Sequence, residues 1–448
     1  MKKYILFLVA GVLLSSCEKT VEGLNDNPNQ FTDSPISLLL NHSLLNVASI
    51  AEAEPARIAA IFTDQLTGFD RQYGTLNTYS TNAATYEALW EDIFQRGITM
   101  AQLVRAKAQE GGNTLVDGQA SILEAYYFAE AALLFNDIPF SEVNNPEFPD
   151  PKYEDQETVL RAAIALLTQG ASKAGTSSAA NNVFETTSTW GQVASALKAR
   201  YHLALGEYQN AHSAALQANF TSRSNDWSIS HSAANYGENL FWQFEVEQRQ
   251  DYLRVQNSYM SRLLKAGEDI YRGNAKTDEK NRYDYYVSSA NGLSYNTTDG
   301  FAAQTASFPV ISFEEVQLIR AEAAARLGVD DDALVAINLV RASNAAKYSS
   351  TYDPYVLADF DADGMASNGQ TTVSMALLHE ALFEKYCAVI GLPVYQDVLR
   401  TNNAIGVPIK NANETTIPQR FIYPATEEAS NSNFPGFVDQ MVKTDIYN

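Results

Sequence analysis

The amino-acid sequence predicts a mainly α fold, an α-solenoid of about four tetratricopeptide-like helix pairs carrying one long irregular region. Three observations lead there. Residues 308–346 read as two amphipathic helices joined at a glycine, residues 194–218 repeat that punctuation, and in residues 219–307 the repeats stop.

In the first stretch Val316, Ile319, Ala323 and Leu327 step by three, four and four residues, which lines one apolar stripe on a helix. Gly328 follows, where a helix ends through a left-handed residue. Asp330, Asp331 and Asp332 open the next helix, where carboxylates meet free N–H groups and the positive dipole end. Leu334, Ile337 and Val340 or Arg341 continue a stripe, and Ala321, Ala324, Ala325 and Ala336 let the two backbones come close. A helix pair of this kind cannot bury its face alone and needs stacked neighbours. Residues 194–218, with Leu205-Gly206 and Tyr208, supply a second pair, and the Ala-rich stretches 119–135 and 374–391 supply further helices.

Residues 1–17 stand apart from the fold. Lys2 and Lys3 precede an apolar run from Tyr4 to Leu14, eleven residues, too short to span a bilayer but suited to export. The run ends in Leu14-Ser15-Ser16-Cys17, a lipobox in which Cys17 becomes the lipidated first residue. The expected organisation is a signal peptide over 1–16, a lipidated polar tether over 17–35, and one domain over 36–448 with an irregular insert at 219–307. Cys387 is then the one thiol left, so no internal disulfide is expected. Without Lys2 and Lys3, 29 basic residues face 53 acidic ones, a net charge of −24. Such a surface repels nucleic acid and anionic lipid alike.

Along the domain, a helical stretch from Leu38 to Leu66 is interrupted near Pro55. The loop 67–82 follows, and then a long helix from about Asn82 to Gln109, in which Tyr86, Trp90, Phe94 and Ile98 at i,i+4 spacing form a packing ridge. Pro146, Pro149 and Pro151 keep the next connection extended. A helix covers 156–169. Leu240 to Phe244 reads as a strand, with Trp242 in the core, and a helix lies around 258–266. An irregular region of this length inside a helical chain is usually functional.

Several pieces now fall into a recognisable order: the lipobox, Leu24-Asn25-Asp26-Asn27-Pro28-Asn29, and Phe135-Asn136-Asp137-Ile138-Pro139-Phe140. After them come Glu315 to Ala323, Asn338 with Val340-Arg341, Leu399-Arg400-Thr401-Asn402, and Gln419 to Pro424. Together they make the chain resemble the SusD/RagB family of outer-membrane nutrient-binding lipoproteins over nearly its whole length. Asn136 stands where that family usually has Gly, and its glutamate-arginine pair near the last repeat helix reads Glu380 and Lys385 here. The resemblance implies a lipid-anchored protein on the outer membrane that acts as a lid on a SusC-like TonB-dependent transporter, holding an oligosaccharide for import. It also implies that the helix-pair half packs on the transporter and that the irregular half holds the ligand. The RagB branch implies a peptide as the alternative ligand, and a transporter subunit without a ligand site is a third reading.

No catalytic constellation accompanies these pieces. There is no G-x-S-x-G, Walker loop, G-x-G-x-x-G or H-E-x-x-H, and the five histidines are scattered, so an enzyme is not expected. The run Asp359-Phe360-Asp361-Ala362-Asp363-Gly364 begins like a calcium loop with Asp359, Asp361 and Asp363 as ligands. Gln370 at its twelfth position cannot supply the bidentate carboxylate, and a solvated acidic turn is the competing reading. No other cofactor is expected. Glycans are held by aromatic faces against the apolar faces of sugar rings, with planar polar side chains for the hydroxyls. Two stretches fit that pattern and give the candidate ligand-binding residues: Phe69, Arg71, Tyr73 and Tyr79 in one, and Gln248, Tyr252 and Arg254 in the other. Trp227 and Tyr236 are weaker candidates, and Trp90 is expected in the core.

Overall fold

Five of the longer helices begin where a side chain satisfies a free N–H group, and two helix pairs join through a left-handed glycine. The computed structural model describes residues 34–448. Its longer helices are α1 (Ile36–Ala51), α2 (Glu54–Phe62), α3 (Thr99–Glu110), α4 (Thr114–Phe135), α5 (Gln156–Ala174) and α6 (Trp190–Ala204). They continue as α7 (Tyr208–Ala218), α8 (Phe313–Arg326), α9 (Asp330–Tyr348), α10 (Val373–Ala388) and α11 (Leu392–Arg400). Asn113, Asp155, Thr189, Ser312 and Thr372 each accept a backbone N–H at the start of one of these helices. Gly206 and Gly328, with φ of +70° and +72°, turn α6 into α7 and α8 into α9.

Helix α4 packs against α3 and α5, α5 against α6, α7 against α8, and α8 against both α9 and α10. Small residues allow this. A Cβ on Gly170 would lie 2.6 Å from Ile122 Cγ1 and 2.8 Å from the Gly118 carbonyl oxygen, so α4 and α5 meet backbone to backbone. Val316, Ile319 and Ala323 are buried, as the stripe predicts; Leu327 is exposed because α8 ends at Arg326. The aspartates at the start of α9 do not cap it with their side chains, and Asp332 instead pairs with Arg320 and His212.

Charges are threaded through this packing. Arg200 on α6 donates from Nε and Nη2 to Glu315 (2.7 and 2.7 Å) and from Nη2 to the Val310 carbonyl (2.6 Å). Lys385 pairs with Asp397 at 2.9 Å, and Arg400 bridges Asp397 to Glu322. All lie inside, where each charge costs free energy to desolvate and needs its partner to recover it.

Strands are few and short. They are β1 (Thr67–Gly68), β2 (Ile138–Pro139), β3 (Tyr153–Glu154), β4 (Phe184–Glu185), β5 (Trp227–Ile229), β6 (Leu253–Arg254) and β7 (Phe308–Ile311). An antiparallel sheet in the order β4-β5-β7 ties the two ends of the insert together, with Ile229 opposite Phe308. β2 pairs with β3, and β1 pairs with β6.

Two sequence expectations change here. Residues 82–110 are not one regular helix: a 3-10 turn at Ala83–Tyr86 precedes Glu87–Glu91, a π-helical segment at Asp92–Ile98, and α3. The wider turn shifts the ridge, so Tyr86, Trp90 and Ile98 are buried while Phe94 is only half-buried. Leu240 to Phe244 is helical rather than a strand, because the Asn239 side chain accepts the N–H groups of Phe241 and Trp242 and starts a turn there. Trp242 is half-buried on that turn rather than in the core. Among the described residues, no helix is long and apolar enough to cross a membrane.

Candidate functional site

The antiparallel pairing of β1 with β6 joins two segments nearly two hundred residues apart. Thr67 lies opposite Arg254 and Gly68 opposite Leu253, and the Phe69 N–H continues the ladder by donating to the Tyr252 carbonyl (2.9 Å). Just beyond, Asp70 accepts the Arg71 N–H (2.9 Å) and starts a short helix, Arg71–Leu76. Gly68 is required at the corner, since a Cβ there would fall 1.8 Å from the Tyr73 carbonyl oxygen. From beneath, Lys410 Nζ donates to Asn77 Oδ1 (2.9 Å) and to the Ile61 carbonyl (2.9 Å), and it pairs with Asp64 at 2.7 Å. This holds the loop in place.

The candidate residues divide into two sets. Phe69 is 54% exposed, Arg71 and Gln248 are exposed, and Tyr252 and Arg254 are half-buried beside them. The Arg254 guanidinium lies 3.2 Å from the Phe69 ring centroid, and those of Arg71 and Arg249 lie 5.8 and 5.7 Å from the Tyr252 centroid. These are cation–π arrangements on an open face. Tyr73 and Tyr79 differ from expectation: each is 2% exposed and offers no face to a ligand. Tyr73 packs edge-on to Phe244 (5.0 Å) and Tyr252 (6.2 Å), and its hydroxyl donates to Glu54 (3.3 Å). Tyr79 packs on Phe62 (5.8 Å) while its hydroxyl accepts the Lys410 N–H (2.9 Å), and burial pushes that hydroxyl up to about 12. Both rings support the platform from behind.

Arg249, Phe244 and Glu245 belong to this neighbourhood but were not among the candidates. Arg249 stands inside the Gln248-to-Arg254 run, so the composition that singled out the run was also its signal. Burial, with some help from Asp251, pushes the Glu245 carboxyl up to about 7, although the Asp251 N–H donates to it (3.2 Å). Trp227 is fully buried in β5, stacked on Phe184 at 4.2 Å, whereas Tyr236 is 91% exposed at a turn. Trp90 lies in the core, and its indole N–H donates to Glu427 (3.0 Å).

A cavity of about 580 Å³ lies elsewhere, between the three-stranded sheet and α8 and α9, lined among others by Tyr285, Phe308, Arg223, Glu314 and Lys347. Arg200 pairs there with Glu315 and Arg223 with Glu314 at 3.3 Å, while Lys347 lies over the Tyr285 ring. The aromatic face differs in offering a half-exposed ring beside guanidinium groups.

The calcium reading of the acidic run does not match its geometry. Asp359 turns inward, where its Oδ2 accepts from Lys276 Nζ (2.6 Å) and from the Val356 N–H (2.8 Å), while Asp361 and Asp363 point to solvent. Among the described residues, the carboxylates that do converge are Asp137, Asp155 and Asp445, with oxygens within 4.8 Å of one another. Three of the five histidines pair with carboxylates, His231 with Glu52 (2.8 Å), His202 with Glu207 (2.6 Å) and His212 with Asp332 (2.8 Å). Cys387 is buried, which pushes its thiol up to about 12; Cys17 lies outside the described residues.

Comparison with known proteins agrees with this architecture. Residues 28–385 match the model of a SusD-like family described as "Starch-binding associating with outer membrane". No curated protein sequence matches the chain. Among solved structures, a SusD-like protein from Bacteroides thetaiotaomicron is similar with a TM-score of 0.69 at 16% identity, over 92% of this chain and 98% of that one. A SusD/RagB family protein from the same organism aligns with a TM-score of 0.62 at 17% identity, over 90% and 95%. A chitin-binding SusD homolog from Flavobacterium johnsoniae aligns with a TM-score of 0.66 at 13% identity, over 92% and 99%. At these identities the structures speak for the fold, and the family model speaks for the kinship: the chain belongs to the SusD-like family.

Proposed function

We propose that this protein is a non-catalytic glycan-binding lipoprotein of the outer membrane. It captures an oligosaccharide on the Phe69–Tyr252 face and passes it to a partner TonB-dependent transporter. The observation that carries the reading is the β1–β6 pairing, which sets Phe69 and Tyr252 side by side among Arg71, Gln248, Arg249 and Arg254. An aromatic ring open to solvent and flanked by planar donors is what a sugar ring needs: an apolar face to stack on and partners for its hydroxyls. The family description and the chitin-binding structural relative support a carbohydrate as the ligand. Anchoring rests on Cys17, and the helix-pair half is the surface we assign to the transporter.

Calorimetric titration against a panel of neutral and charged oligosaccharides and of short peptides tests the ligand class. A glycan that binds and is recovered uncleaved supports the reading; binding of peptides alone overturns it. Cys17→Ala tests the anchor and is expected to move the protein from the membrane fraction to the soluble one, since the acylated cysteine carries the attachment. Retention of an acylated protein by the membrane after that substitution would refute it.

A further inference from the structure

The arginines of this chain are almost all spoken for. With 53 acidic residues against 31 basic ones, a carboxylate is seldom far away. Arg200, Arg272, Arg282, Arg320, Arg326 and Arg400 all sit in ion pairs, and Arg341 and Arg420 donate to backbone carbonyls. Besides Arg57, which is buried over the Phe244 ring, Arg249 and Arg254 break that pattern. Among the described residues neither has a carboxylate within 4.0 Å or a carbonyl to donate to; each lies against an aromatic ring, and Arg254 also feels the Glu245 carboxylate at longer range. The Nε of Arg254 is buried without a hydrogen-bond partner. Arg71, on the same face, has one exposed and distant partner, Asp70 at 3.9 Å.

The nearby acids leave this donor set largely uncompensated. Glu245 accepts the Asp251 N–H and acts on Arg254 only beyond ion-pair distance, and Asp251 accepts from the Ser294 hydroxyl (3.3 Å). Asp70 caps the Arg71 backbone, and Glu247 is exposed. Guanidinium groups stacked on rings keep their in-plane N–H donors free, and a planar fork of donors matches a carboxylate or a sulfate.

We propose that the glycan held on this face is anionic, with carboxylate or sulfate groups received by Arg249, Arg254 and Arg71 while a sugar ring stacks on Phe69. The inference rests on the glycan reading above and narrows it. The acidic surface elsewhere does not forbid it, because charges beyond about 8 Å are largely screened at physiological ionic strength.

The test uses matched polymers with the full-length protein. Polygalacturonate is compared with its methyl ester, and a sulfated galactan with the same galactan after desulfation, by affinity electrophoresis and calorimetry. The expected result is binding to the charged member of at least one pair and weak binding to its neutral partner; the pair that responds distinguishes uronate from sulfate. Arg249→Gln should weaken the charged interaction about tenfold. Because Arg249 is exposed and bonds to nothing through its guanidinium, its melting temperature should match that of the native protein. Arg254→Gln, checked by the same melt, is the second variant. Equal binding of charged and neutral members, or no change in Arg249→Gln, overturns the anionic inference and leaves the glycan reading standing. Failure of every glycan, neutral or charged, sinks both.

Discussion

The division of the candidate aromatics into exposed and buried rings predicts opposite outcomes for two neighbouring substitutions. Phe69 is 54% exposed, so Phe69→Ala removes little that the fold depends on. Burying a Phe fully is worth about 1.5–3 kcal/mol, half of that is at stake here, and the contact with Arg254 adds about 0.5–1 kcal/mol. Tyr73 is 2% exposed, wedged against Phe244 and Tyr252 with its hydroxyl on Glu54. Tyr73→Ala empties that wedge, and large-to-small changes of aromatic core residues cost about 3–5 kcal/mol. Binding should run the other way. Phe69→Ala removes the open stacking surface and should weaken a bound oligosaccharide at least about tenfold, roughly 1.4 kcal/mol. Tyr73→Ala acts on the ligand only through the platform it supports.

Urea unfolding of each variant gives the stability difference, and calorimetric titration gives the affinity difference. The expected pattern is a large unfolding effect with Tyr73→Ala and a large binding effect with Phe69→Ala. If Phe69→Ala bound as tightly as the native protein while Tyr73→Ala unfolded normally, the ligand would lie elsewhere and the burial argument would fail as well. The cavity beside Tyr285 and Lys347 would then be the next place to look.

Two further outcomes follow from other groups. Glu245 has its carboxyl raised from 4.5 to about 7, so the protonated form is favoured in the fold, and stability present below about 4.5 is lost as pH rises through about 7. Glu245→Gln imitates the protonated acid, and at pH 8 it should stabilise the protein by up to about 3 kcal/mol, with no gain at pH 4; thermal melts across that range decide it. Gly170→Ala gains about 1 kcal/mol of helix propensity. Its Cβ, however, would meet Ile122 and the Gly118 carbonyl below 3.0 Å, and overpacking typically costs about 1–3 kcal/mol, so a net loss of stability is expected; an unchanged urea midpoint would mean that α4 and α5 separate easily.

The helix pairs were legible because their signals are local. Apolar spacing, small residues and the glycines at 206 and 328 lie within a few residues of what they determine, and both glycines adopt the left-handed turn. The two stretches of the candidate face were legible by composition. Which way their rings point was not. Tyr73 and Phe69 are four residues apart in one polar loop, and what separates them is Phe244 and Tyr252, which arrive from within the insert. The acidic run failed for the same reason: its spacing suits calcium, but Lys276, 83 residues away, already holds Asp359. The π-helical segment at Asp92–Ile98 escapes a pattern reading because i,i+4 aromatic spacing is compatible with a regular helix.

Among the described residues, those that carry the family resemblance are parts of the frame. Glu315 holds Arg200, Glu322 holds Arg400, and Asn338 exchanges hydrogen bonds with the backbone of Tyr355 (2.9 and 2.8 Å). Arg420 donates to the Phe135 carbonyl and to the Tyr423 hydroxyl, which in turn donates to the Asp137 carbonyl (2.7 Å). Removing one partner of such a buried ion pair strands the other and costs about 3–5 kcal/mol. Even Asn136, at φ +84° where glycine is at ease, repays its strain by bonding Asp137 (3.1 Å) and the Asp445 N–H (2.7 Å). Phe69, Arg71, Gln248 and Arg249 have no comparable ties. Exchanging them costs the fold less than breaking a buried pair, so the proposed face is free to vary within one architecture.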